Sequence, residues 1–213
     1  VTQNEVARRL ASLYPMRSLR GYVRWKVRSD PAYPAVAEHL RGYEQPLLDL
    51  GCGVGLLPFF LRERGYAAPI LGVDFDERKI EVARKAAQRY RGVDFIAADV
   101  RMPLPENHNV VMLDILHYLQ TADQQAILRN AAGVVPPGGV AIVRQAVRDG
   151  SWRYRLTETV DTLARTMHWM RAEAINFPTP EEIAAPFEGF EITKHPLWGR
   201  MPYNNYLFVF RRR

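Results

Sequence analysis

Cysteine is all but missing from this 213-residue chain. Cys52 stands alone, so no disulfide can form within it, and a reducing compartment suits such a composition. Long apolar runs are missing as well. None approaches membrane-spanning length, and no signal-peptide pattern opens the sequence, so a cytoplasmic protein is expected. The histidines (His39, His108, His117, His168 and His195) show no short ligand spacing, and no metal site is expected. Internal repeats and low-complexity linkers are lacking. Acidic residues are lacking locally: from Arg8 to Arg28 there are seven basic residues (Arg8, Arg9, Arg17, Arg20, Arg24, Lys26, Arg28) and no acid, and the net charge is +6. Such a run is either a solvated helix face or a docking surface for an acidic partner: nucleic acid, anionic lipid or an acidic carrier protein. What is present, 47% hydrophobic and 24% charged residues, fits one globular unit with a sizeable core.

The most informative stretch is Leu47-Leu48-Asp49-Leu50-Gly51-Cys52-Gly53-Val54-Gly55-Leu56-Leu57. It reads as a buried strand, a glycine-rich turn and the start of a helix. Glycines let the backbone approach a ligand with no Cβ in the way, and the N–H groups opening the helix point at that ligand. Asp49 is the odd residue, because a carboxylate is rarely buried without a partner; a cationic or amine-bearing ligand would be one. A dinucleotide fingerprint needs G-x-G-x-x-G, but here the third glycine comes one residue early and position 56 is Leu. That spacing argues against a nicotinamide enzyme. Cys52 reads as a small residue fitting a tight turn rather than a catalytic thiol.

Residues 1–44 read as a helical cap. Leu10, Leu13 and Tyr14 recur at helical spacing until Pro15, a second helix spans 18–28, and Asp30-Pro31 is placed to cap a third running to about Leu40. From residue 45 to 213 a single domain is expected. Strands are predicted at 47–50, 70–73, 93–97, 110–113 and 140–144, alternating with helices at 55–64, 77–90 and 121–132. Alternation of this length implies a parallel sheet with helices on both faces, an α/β doubly wound fold. After Gln145 the rhythm changes to one long helix over 151–171, a short one at 181–185, and strands at 190–194 and 206–210.

Asp49, Gly51, Gly53 and Gly55 resemble the first motif, D-x-G-x-G-x-G, of the class I S-adenosylmethionine-dependent methyltransferases. The Pro136-Pro137-Gly138-Gly139 turn and the two closing strands follow in that family's order. The resemblance covers about Pro46 to Arg211. It implies a Rossmann-like, seven-stranded, mostly parallel sheet whose last strand runs antiparallel beside the fifth, with S-adenosylmethionine as cofactor. In such sheets ligands sit beyond the carboxyl ends of the strands, where Gly51, Asp74, Asp99 and Asp114 fall. The resemblance implies that Asp49, Gly51, Cys52, Gly53 and Gly55 hold the methionine end. Asp74 would accept the ribose diol, Phe75 would stack on adenine, and Asp99 with the backbone of Val100 would take the adenine amino edge. The bland reading of these acids is that Asp is common at strand ends and helix caps.

Leu113-Asp114-Ile115-Leu116-His117-Tyr118-Leu119 resembles the family's fourth motif, D-x-L-H-x-L. Asp114 would orient the methionine amine or the acceptor. His117 is the candidate general base, its unperturbed pKa lying near neutrality, with a packing role as the competing reading. Acceptor-side candidates are Tyr14, Arg17, Tyr22 and Trp25 from the cap, Tyr118 from the fourth motif, Trp152, Tyr154, His168 and Trp169 from the long helix, and Trp198, Arg200, Tyr203, Asn204 and Asn205 before the last strand. Such an aromatic wall suits a flat or lipophilic small molecule.

The 22–31 and 198–205 segments resemble bacterial methyltransferases of aryl-polyene or fatty-acid-like biosynthesis. That finer likeness implies an aromatic or acyl acceptor, carried on an acidic carrier protein that the basic arm would dock. Two other readings stand beside it. A nucleic-acid methyltransferase suits the basic charge, but Asp114-Ile115-Leu116-His117 is not the N/D-P-P-Y/F type used on exocyclic base amines, and no cysteine is left for pyrimidine attack. A catalytically silent binding domain need not keep the glycine turn and the strand-end acids.

Overall fold

The computed structural model describes residues 2–166, 176–198 and 203–213. Three helices come first: α1 (Gln3–Ser12), α2 (Arg17–Ser29) and α3 (Ala32–His39). Helix α1 starts on a reciprocal cap. The Thr2 hydroxyl accepts from the Glu5 N–H at 3.3 Å, while the Thr2 N–H donates to the Glu5 carboxylate at 2.8 Å. Its apolar stripe, Val6, Ala7, Leu10 and Ala11, faces inward, as do Val23 and Val27 of α2 and Tyr33 and Val36 of α3.

The sheet follows: β1 (Leu47–Leu50), α4 (Leu56–Glu63), β2 (Ile70–Asp74), α5 (Glu77–Ala87), β3 (Val93–Ala97), β4 (Asn109–Leu113), α6 (Thr121–Val134) and β5 (Val140–Ala146). Then come α7 (Trp152–Thr166), α8 (Pro180–Ala184), β6 (Phe190–Pro196) and β7 (Asn205–Arg212). The seven strands lie in the order β3-β2-β1-β4-β5-β7-β6, with β7 antiparallel to both neighbours and the other pairings parallel. This is the expected topology. The order reverses between β1 and β4, which opens a crevice beyond their carboxyl ends.

Strand alternation divides the core into two layers. Leu47, Val111, Ile142 and Val209 face α4, α5 and the three cap helices, where Leu10, Tyr14, Val27, Phe59 and Phe60 fill the space. Leu48, Leu50, Met112, Val143 and Phe208 face α6 and the α8 region, packing on Ile127, Leu128, Ile183 and Phe187. Cap and sheet thus share one hydrophobic cluster. Two element bounds differ from expectation in ways that matter. Strand β5 runs to Ala146 because its pairing with β7 continues through Gln145↔Tyr206 to Ala146↔Asn205. The long helix is described only to Thr166, so the expectation for 167–171 lies outside the described residues, as do His168, Trp169 and Arg200. Among the described residues no helix is long and apolar enough to cross a membrane.

Candidate active site

The glycine loop is fixed over the end of β2. The N–H groups of Gly51 and Cys52 both donate to the Val73 carbonyl, at 2.7 and 3.0 Å. Gly51, Gly53 and Gly55 all adopt positive φ (79°, 57° and 85°), the left-handed region that side chains resist. Their surroundings differ. A Cβ on Gly51 would lie 2.2 Å from Ile115 Cγ2, whereas one on Gly53 would meet nothing within 4 Å. Gly53 therefore faces open space, and its own N–H is tied to Asp74 Oδ2 at 2.9 Å. Tyr14, a cap residue expected near the acceptor, is buried and donates its hydroxyl to the Val54 carbonyl at 2.8 Å. The cap thus holds the loop directly.

Asp49 points into the cap-side layer with 3% of its surface exposed, and its Oδ2 has no hydrogen-bond partner. Burial, reinforced by the nearby Asp74 charge, pushes its carboxyl up to about 8. Asp74 is buried too, but both its oxygens are used: Oδ2 by Gly53 and Oδ1 by the Asp76 N–H at 3.0 Å. Phe75 is 80% exposed, with the Lys79 ammonium 5.7 Å from its ring centre. Asp99 is gripped by Arg101 at 2.5–2.9 Å, and those hydrogen bonds hold its carboxyl below the usual carboxylate range. Arg101 reaches on to Asp123, and Val100 is half-buried in the same turn. Cys52 is buried, which raises its thiol far above the usual range; it packs against Gly72 rather than serving as a nucleophile.

Asp114 carries a φ of 57°, uncommon for a side-chain-bearing residue, and its carboxylate pairs with Arg144. Arg144 lies in β5 with a side chain only 5% exposed, and its other nitrogen makes two 2.9 Å bonds to both oxygens of Asp30. Lys26 completes the group, 2.8 Å from Asp30. Burial works against each charge. It is outweighed at Arg144 by Asp114 and Asp30, which raise its pKa, and at Asp30 by Arg144 and Lys26, which lower its own. Asp30, expected as a helix cap, does accept the Ala32 N–H at 2.9 Å, but its larger role is this buried link from the cap to the ends of β4 and β5.

His117 sits in a short 3-10 turn, Leu116–Tyr118, and is 7% exposed. Gln124 ties that turn down, donating to the carbonyls of Leu116 and Asn176, and the Asn176 N–H donates to the His117 carbonyl. Gln145 Nε2 lies 2.9 Å from His117 Nδ1. Burial depresses the imidazole pKa, partly countered by Asp114. Tyr118 and Phe177 flank the ring, with centroids at 4.0 and 5.5 Å, and Tyr154 meets Phe177 edge-on.

The remaining acceptor candidates divide. Tyr22 and Trp25 are exposed on the outer face of α2, and Trp198 joins Trp152 around the Arg153 guanidinium. Tyr203 is half-buried. Asn204 is fully buried, its side-chain amide donating to the Val147 carbonyl at 2.9 Å and its backbone N–H donating to the Thr157 hydroxyl at 2.9 Å. It ties the end of β5 to β7 and α7, and its Oδ1 is buried without a partner. Sequence reasoning missed Arg144 and Gln145. The available signal was the same one that exposed Asp49, polar residues inside a strand otherwise apolar throughout. An open cleft of 830 Å³ between α3 and the end of α4 is lined by residues preceding β1 and β2, so it lies at the opposite edge of the sheet from these groups.

Residues 47–139 match the family model described as a methyltransferase domain. A demethylmenaquinone methyltransferase of Thermus thermophilus is 29% identical over 143 residues, 66% of this chain and 62% of that protein. A ubiquinone biosynthesis O-methyltransferase of Coxiella burnetii is 30% identical over 95 residues, 44% of this chain and 40% of that protein. The chain therefore spans less than two thirds of the length of these curated relatives. Among solved structures, the magnesium protoporphyrin IX methyltransferase of Synechocystis PCC 6803 with bound SAH has a TM-score of 0.69 at 19% identity, over 98% of this chain and 93% of that one, which is a likeness of fold. The matched segment begins on β1 and carries Asp49, the glycine loop, the three strand-end acids and His117. Residues 47–139 thus carry the sequence pattern of a methyltransferase domain, on a fold shared with solved methyltransferases.

Proposed function

We propose that this protein transfers the methyl group of S-adenosylmethionine to a small aromatic or acyl acceptor. The observation that carries the proposal is the buried carboxylate of Asp49, its Oδ2 without a partner, behind a glycine loop whose middle residue faces open space. A buried anion without a counter-charge is costly, and the ammonium of the cofactor's methionine end supplies one. The Gly51–Gly55 loop would follow that end closely. Asp74 retains free lone pairs for a ribose diol while still holding Gly53 and Asp76, since a carboxylate accepts about four hydrogen bonds. Phe75, exposed beside it, offers a face for adenine, and Asp99 with Val100 offers the polar edge.

Bound there, the cofactor supplies an electrophilic methyl group on a sulfonium that leaves as a neutral thioether. The chain's own part is alignment and dryness. Tyr14 pins the loop, the Lys26–Asp30–Arg144–Asp114 group pins the cap to the strand ends, and Gln124 pins the His117 turn. The acceptor would lie against His117, Tyr118 and Phe177.

Calorimetric titration with S-adenosylmethionine and with S-adenosylhomocysteine tests the reading. Both should bind, and Asp74→Ala should weaken both by about 10- to 100-fold, the worth of hydrogen bonds to a charged group. Normal affinity in that variant refutes the ribose assignment. The finer part of the proposal is carrier docking. Helix α2 exposes Arg17, Arg20, Arg24 and Arg28 around Tyr22 and Trp25, a basic, aromatic face suited to an acidic carrier. Arg24→Glu with Arg28→Glu should abolish salt-sensitive binding of an acyl carrier protein and leave cofactor affinity unchanged. Unaltered carrier binding would refute it.

A further inference from the structure

We infer that Arg101 gates the adenine end of the nucleoside site, holding the Asp99 carboxylate until an adenine amino group displaces the guanidinium onto Asp123. This rests on the proposed assignment of Asp99 to the adenine edge, and it adds a residue that tunes affinity and base selectivity there.

The acids at the ends of β2 and β3 are held in different ways. Asp74 is in register with Ala97, two residues before Asp99, so both acids lie at the carboxyl ends of neighbouring strands. Asp74 receives two backbone N–H groups, which leaves part of its acceptor capacity open. Asp99 is filled. Its Oδ1 accepts the backbone N–H and the Nε–H of Arg101, each at 2.9 Å. Its Oδ2 accepts the same Nε–H at 2.9 Å and an Nη2–H at 2.5 Å. Four contacts are about what a carboxylate can take. An amine donor therefore gains Oδ2 only by displacing the guanidinium.

Displacement costs little and has a destination. The side chains of Arg101, Asp99 and Asp123 are 50%, 42% and 37% exposed. Ion pairs in such positions are weak, because water and salt compete for both partners. Arg101 Nη1 already donates to Asp123 Oδ2 at 3.1 Å. Asp123 stands in the first turn of α6, where the helix dipole favours an anion in its own right. The main chain need not move. The turn is closed by the Met102 N–H on the Asp99 carbonyl at 3.0 Å and by the Arg101 N–H on Oδ1, and neither bond involves the guanidinium. Rotation of one side chain thus frees Oδ2 while Asp99 stays in place. A 6-amino group on the base benefits from that release. A 6-oxo group does not, since it needs a donor and the guanidinium is one.

Isothermal titration calorimetry with S-adenosylhomocysteine tests the inference. Arg101→Gln should bind it about two- to fivefold more tightly than wild type, the fold-change that release of one exposed ion pair amounts to. S-inosylhomocysteine, with an oxo group in place of the amine, should not gain. Equal or weaker binding of the adenosyl ligand by the variant overturns the inference, and so does an equal gain for both ligands. Movement of the arginine has its own signature. In ¹H–¹⁵N spectra of arginine-labelled protein, with Arg101→Gln for assignment, the Arg101 Nε–H signal should lose its hydrogen-bonded downfield shift as S-adenosylhomocysteine saturates the protein. A signal that keeps that shift overturns the inference. Asp123→Asn should weaken S-adenosylhomocysteine binding in the wild-type background and have no effect beside Arg101→Gln; equal weakening in both overturns the transfer to Asp123. The underlying reading fails separately. Normal binding by Asp99→Ala removes the adenine assignment and the gate with it, whereas weakened binding by Asp99→Ala without a gain in Arg101→Gln removes the gate alone.

Discussion

Asp49→Asn should make the cofactor-free protein more stable and at the same time weaken its grip on S-adenosylmethionine. In the unfolded chain an aspartate ionises near pH 3.9. In the fold Asp49 is buried, its Oδ2 lacks a partner, and its carboxyl is raised to about 8. Below about pH 4 both states are protonated and the residue costs nothing. Between about pH 4 and 8 the unfolded state gives up the proton while the native state keeps it, so stability falls by about 1.4 kcal/mol per pH unit. The loss is complete above about pH 8. At pH 7 the penalty is about 4 kcal/mol at most, and an asparagine, which still buries a polar amide, should recover about 1–3 kcal/mol of it. For a chain of this size that is a rise in Tm of about 2–12 °C. Differential scanning calorimetry of nucleoside-stripped protein from pH 4 to 8 reads it directly: the two curves should meet near pH 4 and separate as pH rises. Titration with S-adenosylmethionine should show at least about a tenfold loss of affinity, because the ammonium has lost its counter-charge. A variant less stable than wild type at pH 8, or one that binds the nucleoside normally, refutes the assignment of Asp49 as a carboxylate awaiting a cation.

Arg144→Met should lower stability by about 3–5 kcal/mol, since Asp114 and half of the Asp30 pairing are left behind. Adding Asp30→Leu should restore part of it, and chemical denaturation of the three proteins checks the cycle. Because Asp30 is lowered by its partners, the wild-type advantage should persist above about pH 4 and fade as acid protonates that carboxylate. Gly51→Ala should unfold or badly destabilise the protein, its Cβ falling 2.2 Å from Ile115, whereas Gly53→Ala should cost about 1 kcal/mol and mainly reduce nucleoside affinity. Tyr14→Phe should cost about 0.5–1.5 kcal/mol and raise the nucleoside Kd severalfold through the loosened Val54 carbonyl, as thermal shift with and without ligand would show.

The backbone plan was legible from the sequence because periodicity and turn chemistry are local. The run ending at Gly51, the acids closing β2 and β4, and the Pro136–Gly139 turn each announce themselves within a few residues. The second layer of the site did not. Arg144 and Asp30 are 114 positions apart, and only the β4–β5 pairing and the cap's packing bring them together. Gln145 looked like the residue after a strand; its place inside β5 depends on a partner strand sixty residues downstream. Asn204 is a polar residue beside an aromatic run whose burial the sequence does not show: its amide nitrogen is taken by the Val147 carbonyl just past β5. His117 is visible as a motif, but its contacts with Gln145 and Phe177 come from distant parts of the chain.

Because residues from the first three helices fill the same layer as α4 and the sheet, the amino-terminal segment is not an exchangeable accessory. Grafting the corresponding helices from a relative would replace part of a close-packed interior shared with the sheet. Change in those helices is therefore coupled to folding and must proceed by compensated pairs of substitutions across that seam rather than by wholesale replacement.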